Sequence, residues 1–213
     1  MKRDMKKSGF TLVEMLVVIG IIAVLSAASM VGYSKVVKSA RKAKNQELVS
    51  NAATALTHIL SKNENVWPKV VYDNANGGCG QLDDTVARVF VRFSLLGLSF
   101  NQDRAKKTDR GMRLTGVSRC GVVDAEAEAV LKRTPSASAS TRVPSGGTIK
   151  DHILYYAIDD DEDGIVSANV GGTKVEVRAT AIVWSAGPDG KVEYGFRGRN
   201  DDVYSWRPAQ EVR

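Results

Sequence analysis

The pattern of apolar residues divides the chain into a long N-terminal helix and a later group of strands. Residues 10–33 are almost uniformly apolar and contain one charged residue, Glu14. At about 1.5 Å per residue, a helix of this length can cross the roughly 30 Å hydrocarbon core of a bilayer. The pattern therefore predicts a transmembrane helix over residues 10–33.

Residues 34–65 continue the helix, but only one of its faces is apolar. The apolar residues of that face recur at spacings of three and four, which is typical of an amphipathic helix; they are Leu48, Ala52, Ala55, Leu56 and Ile59. Because no proline or glycine interrupts the stretch from Tyr33 to Lys62, we expect one helix from Phe10 to Lys62 whose second half packs on a globular head. Pro68 is expected to stop this helix.

The middle of the chain, residues 66–150, has a weaker pattern and is interpreted as a variable insertion. Residues 86–100 are apolar enough to be buried, but their spacing fits neither a helix nor a strand. Residues 134–148 are rich in serine, proline and glycine, which predicts an exposed loop.

The C-terminal part, residues 151–213, changes to the β-branched and aromatic composition of strands. The predicted strands are two longer segments, 153–158 and 175–184, and two shorter ones, 192–196 and 203–206. A long N-terminal helix packed on a C-terminal antiparallel sheet is an α+β fold. We therefore predict this fold class, with residues 151–213 forming a β-sheet head.

The charge distribution argues against a nucleic-acid-binding protein, although the formal net charge is +6. Residues 1–9 contain four basic residues and one acidic residue, so half of the net charge precedes the predicted helix. A nucleic-acid-binding domain would concentrate lysine and arginine on its folded part, whereas residues 151–213 contain 12 of the 24 acidic residues. The sequence also lacks a nucleophile–base grouping, a phosphate-binding loop and a zinc motif, so an enzyme is not predicted.

Glu14 lies near the start of the apolar segment, where a carboxylate costs free energy. The cost is on the order of 3 kcal/mol at the bilayer centre and decreases toward the interface. A secretory signal peptide cleaved near residues 26–28, or a plain membrane anchor, has no use for this charge. A membrane helix that binds a partner does have a use for it, and a carboxylate at the headgroup level is the alternative.

Residues 9–14, G-F-T-L-V-E, follow a short basic leader and precede the apolar segment. In this region the sequence resembles type IV pilins and the pseudopilins of type II secretion. The resemblance implies that a prepilin peptidase removes the leader, residues 1–9, by cutting after Gly9, and that Phe10 becomes an N-methylated first residue. It also implies that Glu14 pairs with the N-terminal amine of a neighbouring subunit, which would relieve the desolvation cost of both charges.

The same resemblance implies a structural function for the chain. The subunit would cross the inner membrane once, with its head in the periplasm or at the cell exterior. It would assemble with copies of itself or with other pilins into a fibre or pseudopilus, and its further partners would be the prepilin peptidase and an inner-membrane assembly platform. The alternative is a membrane-tethered, calcium-dependent binding module that does not polymerise.

Two acidic loops are candidate calcium sites. The C-terminal loop, S-A-G-P-D-G followed by N-D-D-V, is similar to the calcium-binding loop of the major pseudopilin, and this similarity implies Asp189 and Asp202 as ligands with Ser185 as a third. Residues 159–164 spell D-x-D-x-D-G, the first half of an EF-hand loop; its ligands would be Asp159, Asp161 and Asp163. The twelfth position of this loop is Val170 instead of a bidentate glutamate, and a loop without metal is the alternative for both.

Cys79 and Cys120 are the only cysteines in the sequence. In an exported domain they are expected to form a disulfide, worth about 4 kcal/mol in the chain-entropy model, with two thiols as the alternative. The two histidines, His58 and His152, lie far from the cysteines in sequence. The sequence therefore predicts a covalent link between the cysteines rather than a metal site.

Overall fold

A computed structural model of the chain describes residues 10–76, 78–92, 117–118, 120–194, 201–207 and 210–212, without the side chains of residues 28–32, 91 and 117–118. The predicted leader, including Gly9, lies outside the described residues. The chain divides into two compact units, Met1–Ala40 and Arg41–Arg213.

The first helix, α1, spans Leu12–Lys62. This confirms the single helix that the apolar and amphipathic patterns predict. The five residues predicted to face the head, from Leu48 to Ile59, are each at most 1% exposed. Burial of a large apolar side chain contributes roughly 1.5–3 kcal/mol, so this face of α1 is a major part of the core of the second unit. Within the part of the chain that the structure describes, no helix is long and apolar enough to span a membrane.

The prediction that Pro68 stops α1 is wrong, because the helix ends six residues earlier, at Lys62. Glu64 and Asn65 follow with left-handed backbone angles, φ 58° and 60°. The amide of Asn65 donates to the carbonyl oxygen of Leu60 at 3.0 Å and satisfies one of the open carbonyls at the helix end. Pro68 instead occupies the N-cap position of α2, Lys69–Ala75, where the lack of an N–H is tolerated.

The predicted insertion, residues 66–150, contains regular structure in its described part. Its remaining helices are α3, Asp84–Arg92, and α4, Ala125–Arg133, and a 3₁₀ helix spans Ile149–His152. The predicted apolar segment 86–100 therefore begins inside α3, while residues 93–100 lie outside the described residues. The predicted exposed loop, residues 134–148, consists largely of turns and has Val143 as its one buried residue.

The strands form one four-stranded sheet and two hairpins. In chain order the strands are β1 Gly80–Gln81, β2 Val117–Ser118, β3 Gly121–Val122, β4 Tyr155–Ile158, β5 Ile165–Val170, β6 Thr173–Arg178, β7 Ala181–Ser185 and β8 Val203–Tyr204. The larger sheet is antiparallel with the order β1-β4-β7-β8, and the hairpins are β2–β3 and β5–β6.

The larger sheet lies between two hydrophobic clusters. Because side chains alternate along a strand, the pair Tyr156–Val183 points to one face and the pair Tyr155–Trp184 to the other. The first face packs against α2, α3 and the part of α1 that belongs to the second unit. The second face packs against the β5–β6 hairpin. The fold is α+β, with the long N-terminal helix packed on an antiparallel sheet, as predicted.

The predicted strand 175–184 is two strands that belong to different sheets. β6 ends at Arg178, and β7 begins at Ala181 after a two-residue bend. β6 pairs with β5, a strand that the sequence pattern does not predict. A turn at Gly171 and Gly172, with φ angles of 56° and 83°, joins the two strands. Two consecutive positive φ angles favour glycine, and such a turn matches the twist of a hairpin.

The other strand predictions are confirmed in part. Segment 153–158 forms a strand from Tyr155 onward, and segment 203–206 forms the two-residue strand β8. Residues 192–194 are not in a strand, and residues 195–196 of the same prediction lie outside the described residues.

Candidate functional site

The beginning of α1 is closed by a capping box of Thr11 and Glu14. The amide and the hydroxyl of Thr11 both donate to Oε2 of Glu14, at 2.8 and 2.9 Å, and the amide of Glu14 donates to Oγ1 of Thr11 at 3.3 Å. A threonine at the N-cap and a glutamate three residues later is the usual sequence of this arrangement. Within the described residues, the other carboxylate oxygen of Glu14, Oε1, accepts no hydrogen bond.

The first turns of α1 expose an unusually large amount of apolar surface. Twelve large apolar residues between Phe10 and Leu25 are 45–81% exposed. A contiguous apolar surface of this extent is typical of a segment that contacts a membrane or another protein chain.

The acidic loop, residues 159–164, joins β4 to β5 and brings three carboxylates together. One carboxylate oxygen from each of Asp159, Asp161 and Asp163 lies within 4.8 Å of the other two. In the described ranges of the chain, no other three acidic, histidine or cysteine side chains come this close. The three residues predicted as ligands in the acidic loop therefore lie close enough together to bind a metal ion.

Asp159 is the buried member of this group, whereas Asp161 and Asp163 are exposed. Burial raises the pKa of Asp159, and the neighbouring carboxyls of Asp161 and Asp163 raise it further, against the lowering effect of a hydrogen bond from the Gly164 amide. A positive ion would counter these effects because it stabilises the ionised carboxylate.

In the C-terminal loop, Asp202 is buried next to β8. Its Oδ2 accepts hydrogen bonds from the amide of Glu193 at 2.7 Å and from the hydroxyl of Tyr204 at 3.0 Å. Burial raises the pKa of Asp202 to about 6, and the charges of Asp201 and Asp189 contribute to this increase. The loop thus concentrates acidic groups around a buried carboxylate.

The other two predicted ligands of the C-terminal loop make local hydrogen bonds. Asp189 Oδ1 accepts from the amide of Lys191 at 2.9 Å, and Ser185 Oγ accepts from the amide of Gly187 at 3.4 Å. Asp189 and Asp202 interact electrostatically, but with Asp201 they do not form a cluster as close as that of the acidic loop. The geometry therefore supports the acidic loop more directly than the C-terminal loop.

The two cysteines, both among the described residues, are half-buried. Cys79 packs against the cluster that includes Trp184, and Cys120 packs against a separate cluster that includes Ile149. Their predicted disulfide stays a prediction.

A buried polar network at the beginning of α4 was not predicted. Asp124 is the N-cap of α4, and its Oδ1 accepts from the amides of Glu126 and Ala127 at 3.1 and 3.0 Å. Its Oδ2 lies 2.7 Å from Nδ1 of His152, and both side chains are fully buried. Nε2 of His152 lies 2.9 Å from the carbonyl oxygen of Gly146. Both ring nitrogens face acceptors, so the imidazolium form, which donates from both, fits this environment best.

The protonation of His152 reflects two opposing effects. Burial lowers the pKa of His152, but the hydrogen bond and charge of Asp124 and the Gly146 carbonyl outweigh burial and raise the pKa above its ordinary value. When His152 is protonated, it forms a buried ion pair with Asp124, and this pair depends on both partners being present.

Two residues of α1 join the same network. Asn45 accepts from the amide of Ala125 at 2.7 Å and donates to Oε2 of Glu126 at 3.1 Å, while Lys44 pairs with Glu128. The sequence does contain a local signal for α4. An N-capping aspartate precedes A-E-A-E-A-V-L-K-R, which has acidic residues in its first turn and basic residues in its last. The long-range contacts to Asn45 and His152 carry no such local signal.

Comparison with known proteins identifies a motif in the N-terminal segment of the chain. Residues 4–30 match the model of the prokaryotic N-terminal methylation motif, which is typical of type IV pilins and type II pseudopilins. The comparison with curated proteins finds no match, and neither does the comparison with solved structures. The N-terminal segment of the chain therefore carries the methylation and cleavage motif of prepilins. Proteins with this motif are generally not enzymes.

Proposed function

We propose that the protein is a structural subunit of a type IV pilus-like fibre or of a type II secretion pseudopilus. A prepilin peptidase cuts after Gly9, and Phe10 becomes the methylated first residue. Residues 10–33 then hold the subunit in the inner membrane, with its head in the periplasm or outside the cell, until the assembly platform adds it to the fibre. The match of residues 4–30 to the methylation motif carries this proposal.

Two features of α1 support assembly through its N-terminal end. The exposed apolar residues between Phe10 and Leu25 provide a surface for lipid before assembly and for neighbouring subunits afterwards. Glu14 uses only Oε2 in its capping box, so Oε1 can bind the positively charged amine of a neighbour's Phe10. In a low dielectric, each charge then reduces the desolvation cost of the other.

The mature N-terminus tests the proposal most directly. Mass spectrometry of the protein from cells that contain prepilin peptidase should find a chain that begins at Phe10 and carries one methyl group. The same protein from cells without the peptidase should keep residues 1–9. Cleavage near Ala28, or an intact Met1 in the presence of the peptidase, would contradict the proposal.

The acidic loop favours one alternative function, a membrane-tethered module that binds a partner through calcium and does not polymerise. Fibres sheared from the cell surface, or a pseudopilus that contains this chain, would exclude it. Calcium binding by Asp189, Asp202 and Ser185 also stays a proposal. It is supported by the raised pKa of Asp202, because a cation would relieve the repulsion between Asp202 and its acidic neighbours.

A further inference from the structure

The acidic loop has the backbone shape and the side-chain arrangement of a cation site. Its three alternate aspartates place carboxylate oxygens within 4.8 Å of one another. Glu162, between two of them, has a left-handed backbone with φ 60°, and Gly164 follows with φ 81°. These turns allow a short loop to direct successive carboxylates to the same side.

The buried carboxylate of Asp159 gives an independent indication of a ligand. Asp159 is 7% exposed, and its Oδ2 accepts from the amide of Gly164 at 2.9 Å. Its Oδ1 is buried and has no hydrogen-bond partner within the described residues. None of the ion pairs among the described residues includes Asp159, Asp161 or Asp163. A buried carboxylate oxygen is normally paired or bound to a metal ion.

We propose that Asp159, Asp161 and Asp163 bind a calcium ion. Calcium takes six to eight oxygen ligands and tolerates irregular geometry, so three carboxylates leave room for water and backbone carbonyls. An EF-hand loop has a bidentate glutamate at its twelfth position. Here that position is occupied by Val170, which is buried in the hairpin. The affinity should therefore be that of extracellular calcium modules, with Kd on the order of 10⁻⁴–10⁻³ M. Exposure to calcium outside the cytoplasm rests on the proposed localisation, whereas binding by the purified chain does not.

The bound ion would fix the connection between the sheet and the β5–β6 hairpin. The indole Nε1 of Trp67 donates to the carbonyl oxygen of Asp159 at 2.7 Å, and the amide of Asp159 donates to the carbonyl oxygen of Thr180 at 3.0 Å. The start of the acidic loop is thus attached both to the segment between α1 and α2 and to the bend between β6 and β7. A cation that orders this loop would stabilise all three segments together.

Thermal unfolding of the full chain in detergent, with calcium chloride or with EGTA, tests the site. At about 10 mM calcium we expect Tm to increase by about 5 °C. The double variant Asp161→Ala/Asp163→Ala should lose at least half of this increase. Its matched control, Asp160→Ala/Glu162→Ala, removes the same charge from the same loop and should keep the increase. Each variant is compared with itself in EGTA, so a change in its own stability does not affect the result.

Terbium luminescence locates the ion. Trp67 should sensitise terbium bound in the acidic loop, and Trp67→Phe should remove most of that signal. Three results would overturn the proposal: no calcium-dependent increase in Tm of the wild type, an equal loss in both double variants, or an increase that Asp189→Ala abolishes and Asp161→Ala/Asp163→Ala leaves intact. None of these results depends on fibre formation, so they leave the proposed function to its own test.

Discussion

Thr11 donates two hydrogen bonds, from its amide and its hydroxyl, to a single oxygen of Glu14, Oε2. This side of the Glu14 carboxylate therefore caps the helix to which Glu14 itself belongs. The other oxygen, Oε1, accepts no hydrogen bond within the described residues. The geometry therefore allows Glu14 two functions, which a single substitution by alanine would remove together.

Glutamine at position 14 separates these two functions. Glu14→Gln keeps an oxygen that can accept from Thr11, because glutamine also forms capping boxes, but it removes the negative charge. We expect both Glu14→Gln and Glu14→Ala to reduce fibre assembly at least tenfold while processing and membrane insertion are unchanged. The measurement is the amount of sheared fibre relative to total mature subunit.

Thr11→Val serves as the control for helix capping. It removes the hydroxyl at nearly constant volume and should weaken the helix end by about 1 kcal/mol, with a smaller effect on assembly than Glu14→Gln. If Glu14→Gln assembles like the wild type and Glu14→Ala does not, the carboxylate is only a helix cap.

Because of the His152–Asp124 pair, we expect the free energy of unfolding to depend on pH above neutrality. The folded-state pKa of His152 is raised above its ordinary value of 6.5, so the folded chain binds the proton more tightly than the unfolded chain. The stabilisation is fully present below about pH 6.5 and is lost as pH rises through the folded-state pKa. Urea unfolding at about pH 6 and about pH 9 should show a decrease in the free energy of unfolding.

Substitution of either histidine tests the origin of this decrease. His152→Gln should cost about 3 kcal/mol at pH 6, because it leaves Asp124 buried without its ionic partner, and should make the pH dependence shallower. His58→Gln changes an exposed histidine of α1 and should leave both quantities unchanged. A wild-type pH dependence that His152→Gln retains would show that another group titrates.

The sequence predicted the elements whose signals are local. The buried face of α1 follows from a regular three- and four-residue spacing, and the D-x-D-x-D-G turn follows from residue identities within six positions. The capping box of Thr11 and Glu14 is also local, although the sequence analysis interprets Glu14 as the partner of a neighbouring subunit, or as a carboxylate at the headgroup level, and not as a helix cap.

The errors occurred where long-range packing decides the structure. Residues 175–184 are continuously strand-like, but Ile182 and Val177 belong to strands of different sheets that pack face to face. The bend between the two strands follows from their different partners, because β6 pairs with β5 and β7 pairs with β4. The residues of the bend alone do not indicate it. Likewise, His152 and Asp124 are 28 residues apart in the chain, and no local pattern indicates that they form a buried pair.

The stability of the folded chain should also depend on the ionisation of Asp202. Because the pKa of this carboxyl is raised by folding, ionisation of Asp202 should destabilise the fold. Its pKa rises from 3.8 to about 6 in the folded chain, so the folded state binds more protons than the unfolded state between these values. The free energy of unfolding is therefore highest, as far as Asp202 determines it, below about pH 4. It decreases by on the order of 3 kcal/mol as pH rises through about 6.

In EGTA, Asp202→Asn should keep an oxygen for the amide of Glu193 and should be more stable than the wild type at pH 7, but not at pH 4. The exposed residue Asp160, changed to Asn, is the matched control and should show no such difference. If the C-terminal loop binds calcium as the sequence predicts, adding calcium at pH 7 should stabilise the wild type more than Asp202→Asn, because the ion replaces the proton on the carboxylate. Equal stability of Asp202→Asn and the wild type at both pH values would show that Asp202 is not an energetically costly buried charge.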